Sequence, residues 1–341
     1  MPDLISPLTV TAAPSRRWLD ALIRYGLLLV LVAIVIVFSV AEPAFVRVNN
    51  LFIILQSVSI VALLALGVTL TMAVGGLDLS IGAVAAMSLM IASYVMVVLE
   101  WNAFAAIVIS LMGGALVGLL NGWLIVRMRI PDILATLGSM FLVIGVQLIP
   151  TGGRSIAVGM SLPNGRETEG VFSAAFLAMG RARLWDTVPI PVLITTVVAL
   201  AVWLFLERTR IGRLFYAIGG NEQAARLAGA PVQRYKLLAY VLSAVLASAG
   251  GLLLAARLGR GDVSSGNGLV LDALGAALIG FAVLGAKKPN AFGTLVGALL
   301  VATLLNGLTM LNAPYYAQDF VKGLVLVLAL MFTFGLAQRT R

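Results

Sequence analysis

One carboxylate interrupts a long apolar stretch and is the first candidate for chemistry. Asp78 belongs to the segment GGLDLSIG at positions 75–82, and Ser80 follows two residues later. An acid inside a membrane could bind a cation or carry a proton, as in secondary transporters. Alternatively, Asp78 and Ser80 cap the next helix, because such side chains accept hydrogen bonds from the first backbone N–H groups. No basic residue lies nearby in the sequence, and we favour this structural capping role.

Two residue types that carry much enzyme chemistry are missing. The 341 residues contain neither histidine nor cysteine. Their absence removes the commonest general base, thiolate metal ligands and every disulfide. The sequence also lacks the phosphate loop G-x-x-x-x-G-K-[ST], so it should not hydrolyse ATP by itself. We therefore predict that the chain is not an enzyme, with no catalytic residue, no metal and no cofactor.

Uncharged polar side chains are few within the apolar stretches. A hydroxyl-rich solute needs such donors and acceptors along a wet path, but hydrogen bonds between helices would use the same groups. Both interpretations stay open for each residue. The predicted translocation-path residues are Gln56, Thr69, Asn121, Ser139 and Asn306.

The long basic segment at residues 207–236, called the inner loop below, contains a short predicted helix. Asn221 is suited to its N-cap, Glu222 to its positive start, and Gly229 with Pro231 to its end. The predicted apolar face consists of Ala224, Ala225, Leu227 and Ala228. Alanines offer little area for anchoring in lipid. The pattern therefore favours a helix that docks into a groove of another protein.

The elements that carry these residues are predicted to be membrane-spanning helices. The chain is 61% apolar and 11% charged, whereas soluble domains carry about a quarter charged residues. Apolar runs of the length that crosses a bilayer predict an all-α bundle of about ten helices. The predicted spans are 25–41, 51–74, 81–99, 103–126, 133–149, 189–206, 237–256, 269–285, 292–311 and 321–337.

The distribution of basic residues predicts which side of the membrane each connection faces. With a cytoplasmic amino terminus, the inner segments hold fifteen of the 23 basic residues. This asymmetry satisfies the positive-inside rule and places both termini in the cytoplasm. It also explains the net charge of +9 without nucleic acid as a partner. The first apolar run resembles a secretory signal, but we favour an uncleaved span because Pro43 follows the poor cleavage site.

These assignments define one transmembrane domain. Residues 1–24 form a cytoplasmic amino-terminal segment, 25–337 the single transmembrane bundle, and 338–341 a cytoplasmic tail. The connection at 152–188 faces outward and contains a short apolar stretch at 171–179, predicted to be a surface or re-entrant helix. An internal duplication is possible because PDILATL at 131–137 resembles PNAFGTL at 289–295. The alternative is that proline simply favours the first turn of helices.

Several motifs resemble those of permease subunits of ATP-binding-cassette importers, in the branch typified by the ribose permease. The segment GGNEQAARLAG at 219–229 is similar to the helix that inserts into the ATPase of that family. Further similarities are GLDLSIG at 76–82, ILATL at 133–137, GLVLD at 268–272, NGL at 306–308 and the tyrosine pair at 315–316. The chain departs from the family's Gly-Gly-Thr-Ser pattern at 280–289, which reads GFAVLGAKKP.

The resemblance implies a multi-pass permease in a bacterial inner membrane. Its implied partners are ATPase subunits, a second permease copy or a paralogue, and a periplasmic sugar-binding protein that delivers a monosaccharide or similar small solute. The residues implied to couple to the ATPase are Gly220, Asn221, Glu222, Ala224, Ala225, Arg226, Leu227 and Gly229. The alternative function is an ion-coupled secondary transporter, for which Asp78 is the candidate cation site.

Overall fold

The chain folds as a bundle of α-helices. The computed structural model describes residues 17–161, 165, 167–266, 268–282 and 288–331. These ranges contain thirteen α-helices: α1 (Arg17–Ala41), α2 (Val48–Ala73), α3 (Ile81–Ser93), α4 (Ala103–Val126), α5 (Asp132–Leu148), α6 (Ala174–Arg181), α7 (Ile190–Arg208), α8 (Arg210–Gly220), α9 (Glu222–Leu227), α10 (Val232–Leu258), α11 (Leu269–Ala282), α12 (Ala291–Met310) and α13 (Tyr315–Leu330). A small antiparallel hairpin pairs β1 (Arg183–Leu184) with β2 (Val188–Pro189).

The described helices identify a helical membrane protein. Within the described ranges, seven are long and apolar enough to cross a bilayer: α2, α3 with its π-helical continuation to Val98, α4, α5, α7, α10 and α12. The other three predicted spans coincide with α1, α11 and α13. The apolar parts of α1 and α11, Leu28–Ala41 and Leu269–Phe281, are shorter. The number of ten spans therefore stays a prediction.

Helix ends differ from the predicted spans where polar residues start a helix. α10 begins at Val232 rather than at 237, and α13 begins at Tyr315 rather than at 321. Each is preceded by proline, which suits the start of a helix. A span assigned from hydropathy stops at polar residues. The helix itself continues through them, because its backbone hydrogen bonds do not depend on side-chain polarity. The predicted tail at 338–341, the first sixteen residues and positions 283–287 lie outside the described residues.

The connection at residues 152–188, called the outer connection after its predicted side of the membrane, contains the helix predicted near residues 171–179. It is α6, whose start is capped by the Ser173 hydroxyl, which accepts a hydrogen bond from Phe176 N at 3.2 Å. The Phe176 side chain is buried. α6 packs against α10, because a methyl group on Gly180 would collide with the backbone of Ala256 and Arg257. The short helix is thus fixed to the bundle.

Glycines let α4 and α10 pack at close range. Gly114, Gly118 and Gly122 recur at every fourth position of α4 and face α10. A methyl group on Gly118 would lie 2.6 Å from the Tyr240 carbonyl oxygen and 2.7 Å from Val241 Cα. Small residues at such positions permit close approach of helix backbones in membranes. The glycines of α4 therefore have a packing role.

Candidate functional site

The inner loop folds into two consecutive helices, α8 and α9. The sequence predicted only the second one. α8 starts where the Thr209 hydroxyl accepts a hydrogen bond from Gly212 N at 3.0 Å. Its Phe215 and Ile218 side chains are buried, and each such burial stabilises by about 1.5–3 kcal/mol. That gain offsets the cost of about 1 kcal/mol for a glycine inside a helix. The threonine cap and the apolar spacing were the signals that could have revealed α8.

The predicted caps of α9 are confirmed. The Asn221 side chain accepts a hydrogen bond from Ala224 N at 2.9 Å. After the helix, Gly229 has a φ of 82°, in the left-handed region. Its N–H donates to the Arg226 carbonyl oxygen at 3.0 Å. Glycine adopts this conformation without the steric cost that other residues incur.

The prediction that the four apolar residues of α9 form a single surface is wrong. Ala225 is only 7% exposed and belongs to the same buried apolar cluster as Phe215 of α8 and Val232 of α10. Leu227 is 90% exposed, and Ala224 and Ala228 are exposed as well. Ala225 therefore fixes α9 to its own bundle. The outward face that a partner could contact contains Leu227 with Ala224 and Ala228.

Ion pairs fix the start of α9. The Glu222 carboxylate binds Arg226, one helical turn away, at 2.9 Å and also binds Lys236 on α10 at 2.5 Å. The hydrogen bond from Lys236 is the main reason that the pKa of Glu222 lies below its ordinary value of 4.5. The carboxylate is thus charged at neutral pH. Lys236 lies fourteen positions from Glu222, and sequence spacing did not link them.

A cavity of about 490 Å³ lies beside α9. Its walls come from the first part of α10, the end of α4, the residues before α5, and the turn after α2. Charged groups of both signs line it, among them Arg129, Asp132, Glu222, Arg226 and Lys236. The cavity separates α9 from the start of α5.

The residues between α2 and α3, called the inter-helix turn (residues 75–80), contain the carboxylate singled out from the sequence. Asp78 is fully buried. Its oxygens accept hydrogen bonds from the hydroxyls of Ser80 at 2.6 Å and Ser243 at 2.9 Å. Asn121 on α4 donates to the Ser80 hydroxyl at 2.8 Å. Asp78 thus joins the turn to α4 and α10.

The predicted capping role is therefore corrected. Ser80 occupies the N-cap position of α3, but its side chain makes no capping bond. Its hydroxyl donates to Asp78, and its N–H also donates to Asp78, at 2.9 Å. The Ser80 hydroxyl points toward Asp78 because a buried carboxylate needs hydrogen-bond donors. The sequence did not indicate Ser243, which is distant in the chain.

Two side chains of α5 hold the same turn. The Asp132 carboxylate accepts a hydrogen bond from Leu77 N at 2.6 Å, and the Thr136 hydroxyl accepts one from Leu79 N at 3.2 Å. Neither residue was among the predicted site residues, although both belong to the PDILATL segment. The turn therefore connects three helices of the bundle.

The predicted path residues do not form one cluster. Thr69 lies 2.6 Å from the Thr294 hydroxyl, and the Ser139 hydroxyl donates to the Thr136 carbonyl within its own helix. Gln56 is half-buried. Among the described residues, no hydrogen bond joins one of the five predicted path residues to another. Their role in a path stays a prediction.

Asn306 has a partner that the sequence did not identify. Its amide exchanges two hydrogen bonds with the amide of Asn50, at 2.9 and 3.1 Å. Asn50 is buried and also donates to the Phe45 carbonyl oxygen at 2.8 Å. The pair joins the beginning of α2 to the end of α12. It is a hydrogen bond between helices, one of the two interpretations left open by the sequence.

The two proline-containing segments make matching contacts. Thr136 donates to the Asp132 carbonyl oxygen at 2.8 Å, and Thr294 donates to the Asn290 carbonyl oxygen at 2.9 Å. Each threonine also makes a hydrogen bond away from its own helix: Thr136 to the inter-helix turn, and Thr294 to α2. The resemblance between the two segments thus extends to their contacts.

The inner loop also contacts the start of α12. The Tyr216 hydroxyl donates to the Pro289 carbonyl oxygen at 2.8 Å and to Glu207 at 3.2 Å, and Lys288 binds Glu207 at 2.8 Å. Burial, with the nearby Glu207 charge, raises the pKa of Tyr216. The phenol therefore keeps its proton and remains a donor.

Comparison with known proteins gives consistent results. Residues 50–330 match the family model described as branched-chain amino acid transport system / permease component. The ribose import permease protein RbsC of Escherichia coli K12 is 38% identical over 317 residues, which cover 93% of this chain and 94% of that protein. The Bacillus subtilis RbsC is 33% identical, covering 90% and 92%. The xylose transport system permease protein XylH of E. coli K12 is 30% identical, covering 88% of both. No solved structure matches the chain.

Proposed function

Because the chain belongs to the family of branched-chain amino acid transport system permease components, we propose that it is the permease subunit of an ATP-driven importer. The observation that carries this proposal is the inner loop. It presents a capped helix whose outward face is apolar, on a bundle that has no phosphate loop of its own. Energy must then come from a partner that binds this loop.

The proposed solute is a monosaccharide or a similar small polar molecule. Relatives at 30–38% identity are named for ribose or xylose. A periplasmic binding protein would deliver the solute to the outer face. Gln56, Thr69, Asn121, Ser139 and Asn306 are the proposed polar groups of the path, to be tested one at a time.

The proposed partners are two ATPase subunits and a second copy of the permease or a paralogue, in a bacterial inner membrane. In the proposed topology of ten spans with both termini in the cytoplasm, the inner loop faces the ATPase. The matching contacts of Thr136 and Thr294 support an internal repeat, as in many transporters. The proposed ATPase contact is Leu227 with Ala224 and Ala228, while Asn221, Gly229 and the Glu222–Arg226 pair shape the helix.

The proposal is tested by reconstituting the permease into vesicles with its ATPase and binding protein. Transport of radiolabelled ribose and xylose should require ATP on the side of the vesicle membrane where the ATPase is bound. Uptake by the permease alone, driven by a proton or sodium gradient, would instead support the alternative of a secondary transporter that uses Asp78.

A matched pair of variants tests the docking face. Leu227→Asp should abolish co-purification of the ATPase, because it places a charge on the exposed apolar face. Leu184→Asp is the control, since this leucine is exposed on the β1–β2 hairpin in the outer connection. Ala225→Trp does not test docking, because Ala225 faces the bundle. Normal ATPase binding by Leu227→Asp would exclude this surface.

A further inference from the structure

We propose that the inter-helix turn relays movement of the inner loop to α5, and that Asp132 is the positioning residue of this relay. The inference rests on the proposed function, since it assumes that an ATPase moves the inner loop. It goes further by assigning the route between the loop and a membrane helix. Three contacts carry it.

The first contact joins the inner loop to the turn through backbone atoms. Gly219 near the end of α8 packs on Gly75 and on the last residue of α2. A methyl group on Gly219 would collide with the Ala73 carbonyl oxygen and lie 3.0 Å from Gly75 N. Gly75 has a φ of 78°, which favours glycine. With no side chain between the two segments, a displacement of α8 pushes directly on the turn.

The second contact joins the turn to α5. Leu77 N donates to the Asp132 carboxylate at 2.6 Å, and Leu79 N donates to the Thr136 hydroxyl at 3.2 Å. Hydrogen bonds that involve a charged carboxylate are stronger than those between neutral groups. Asp132 is the first residue of α5. The start of this helix is therefore held to the turn by two bonds one helical turn apart.

The third contact fixes the far end of the turn. Asp78 is bound by Ser243 of α10, and Ser80 by Asn121 of α4. All four side chains are buried, and α4 and α10 pack closely. A push at Gly75 therefore rotates the turn about this fixed end instead of shifting it as a whole. Leu77 N, which is bound to Asp132, lies between the pushed end and the fixed end. Leu79 N, which is bound to Thr136, lies at the fixed end between Asp78 and Ser80.

A direct route from α9 to α5 is interrupted by the cavity of about 490 Å³, which has Glu222 and Arg226 on one wall and Pro131 and Asp132 on another. Movement of α9 toward α5 would first close this space. The packed contacts that bridge the gap run through α8 and the inter-helix turn. This arrangement makes the turn, rather than α9, the element that acts on α5.

The test uses spin labels in the complex of the full chain with its ATPase. The chain has no cysteine, so single labels can be attached at Gln223→Cys on α9, outside the proposed ATPase contact, and at Leu142→Cys on α5. Both residues are exposed. A non-hydrolysable ATP analogue is added, and the change in label mobility is measured at each site. In the otherwise unchanged protein, both labels should respond.

Asp132→Ala and Thr136→Val should each abolish the response at position 142 and preserve the response at position 223. Asp132→Asn should keep the response at position 142, because an amide oxygen can still accept the hydrogen bond from Leu77 N. The matched control is Thr196→Val, which removes an exposed hydroxyl that bonds only within its own helix, α7. This variant should behave as the unchanged protein.

The outcomes separate the relay from the proposed function. No response at position 223 in the otherwise unchanged protein would mean that the ATPase does not move the loop, and the proposed function would fail. A response at 223 with none at 142 would overturn the relay alone. The relay is also overturned if both labels respond in Asp132→Ala and Thr136→Val. A general loss of structure would abolish both responses in these variants. In that case Asp132→Asn decides: recovery of both responses supports the relay, and a response at 223 without one at 142 overturns it.

Discussion

Gly219→Ala should force α8 away from the turn that joins α2 and α3. The added methyl group would collide with the Ala73 carbonyl oxygen and lie 3.0 Å from Gly75 N. These are backbone atoms, which cannot move aside as the end of a flexible side chain can. Overpacking of this kind costs about 1–3 kcal/mol. The neighbouring Gly220 has no atom within 4 Å of the same position, so Gly220→Ala should be tolerated.

The comparison of these two variants isolates the steric effect. Alanine favours helix over glycine by up to about 1 kcal/mol, and both glycines belong to α8. The gain is therefore similar in both variants and cancels in their difference. Gly219→Ala should be less stable than Gly220→Ala by about 1–3 kcal/mol. A free-energy difference of this size changes an equilibrium constant that couples two sites by about 5–150-fold.

Two measurements check this prediction. Thermal unfolding of the purified permease gives the stability difference between the variants. Solute-stimulated ATP hydrolysis in the assembled transporter gives the coupling, which should fall further in Gly219→Ala than in Gly220→Ala. Equal stability and equal stimulated hydrolysis in both variants would refute a close backbone contact between α8 and the turn.

Three further predictions concern topology, charge and a buried amide pair. Gln223→Cys should react with an impermeant thiol reagent only from the cytoplasmic side, and labelling in intact cells would refute the proposed topology. Because the folded pKa of Glu222 is lowered by Lys236, its stabilising effect should be complete above about pH 4.5 and disappear as pH falls through the lowered value. Melting temperatures of Glu222→Gln and the unchanged protein should then converge at acid pH; a constant difference would contradict this. Asn50→Ala and Asn306→Ala should each destabilise by about 1–2 kcal/mol, and the double variant by less than the sum, whereas strict additivity in unfolding measurements would show that the pair does not interact.

Local sequence was sufficient for the features of α9 that depend on neighbouring residues. The Asn221 cap, the Glu222–Arg226 pair and the left-handed Gly229 involve groups within a few positions of one another. Their geometry follows from helix hydrogen bonding alone. The same holds for the apolar stretches, since bilayer thickness fixes their length. Membrane class and most helix positions were therefore readable from the chain.

The burial of individual side chains could not be read in this way. Ala225 and Leu227 are both apolar residues of one short helix, yet Ala225 lies in a buried cluster with Phe215 and Leu227 is 90% exposed. Composition gives the size of such a face but not its direction. The direction depends on where α8 and α10 pass, and those helices are placed by contacts elsewhere in the bundle.

The sequence by itself determined that this protein is a helical membrane permease, because apolar length, charge asymmetry and short motifs are properties of local segments. Only the tertiary structure decided what Asp78 does. Its partner Ser243 lies 165 positions away, and the bond exists because α10 passes the inter-helix turn at close range. A buried carboxylate must find donors wherever packing supplies them. Which donors those are is fixed by the three-dimensional path of the chain.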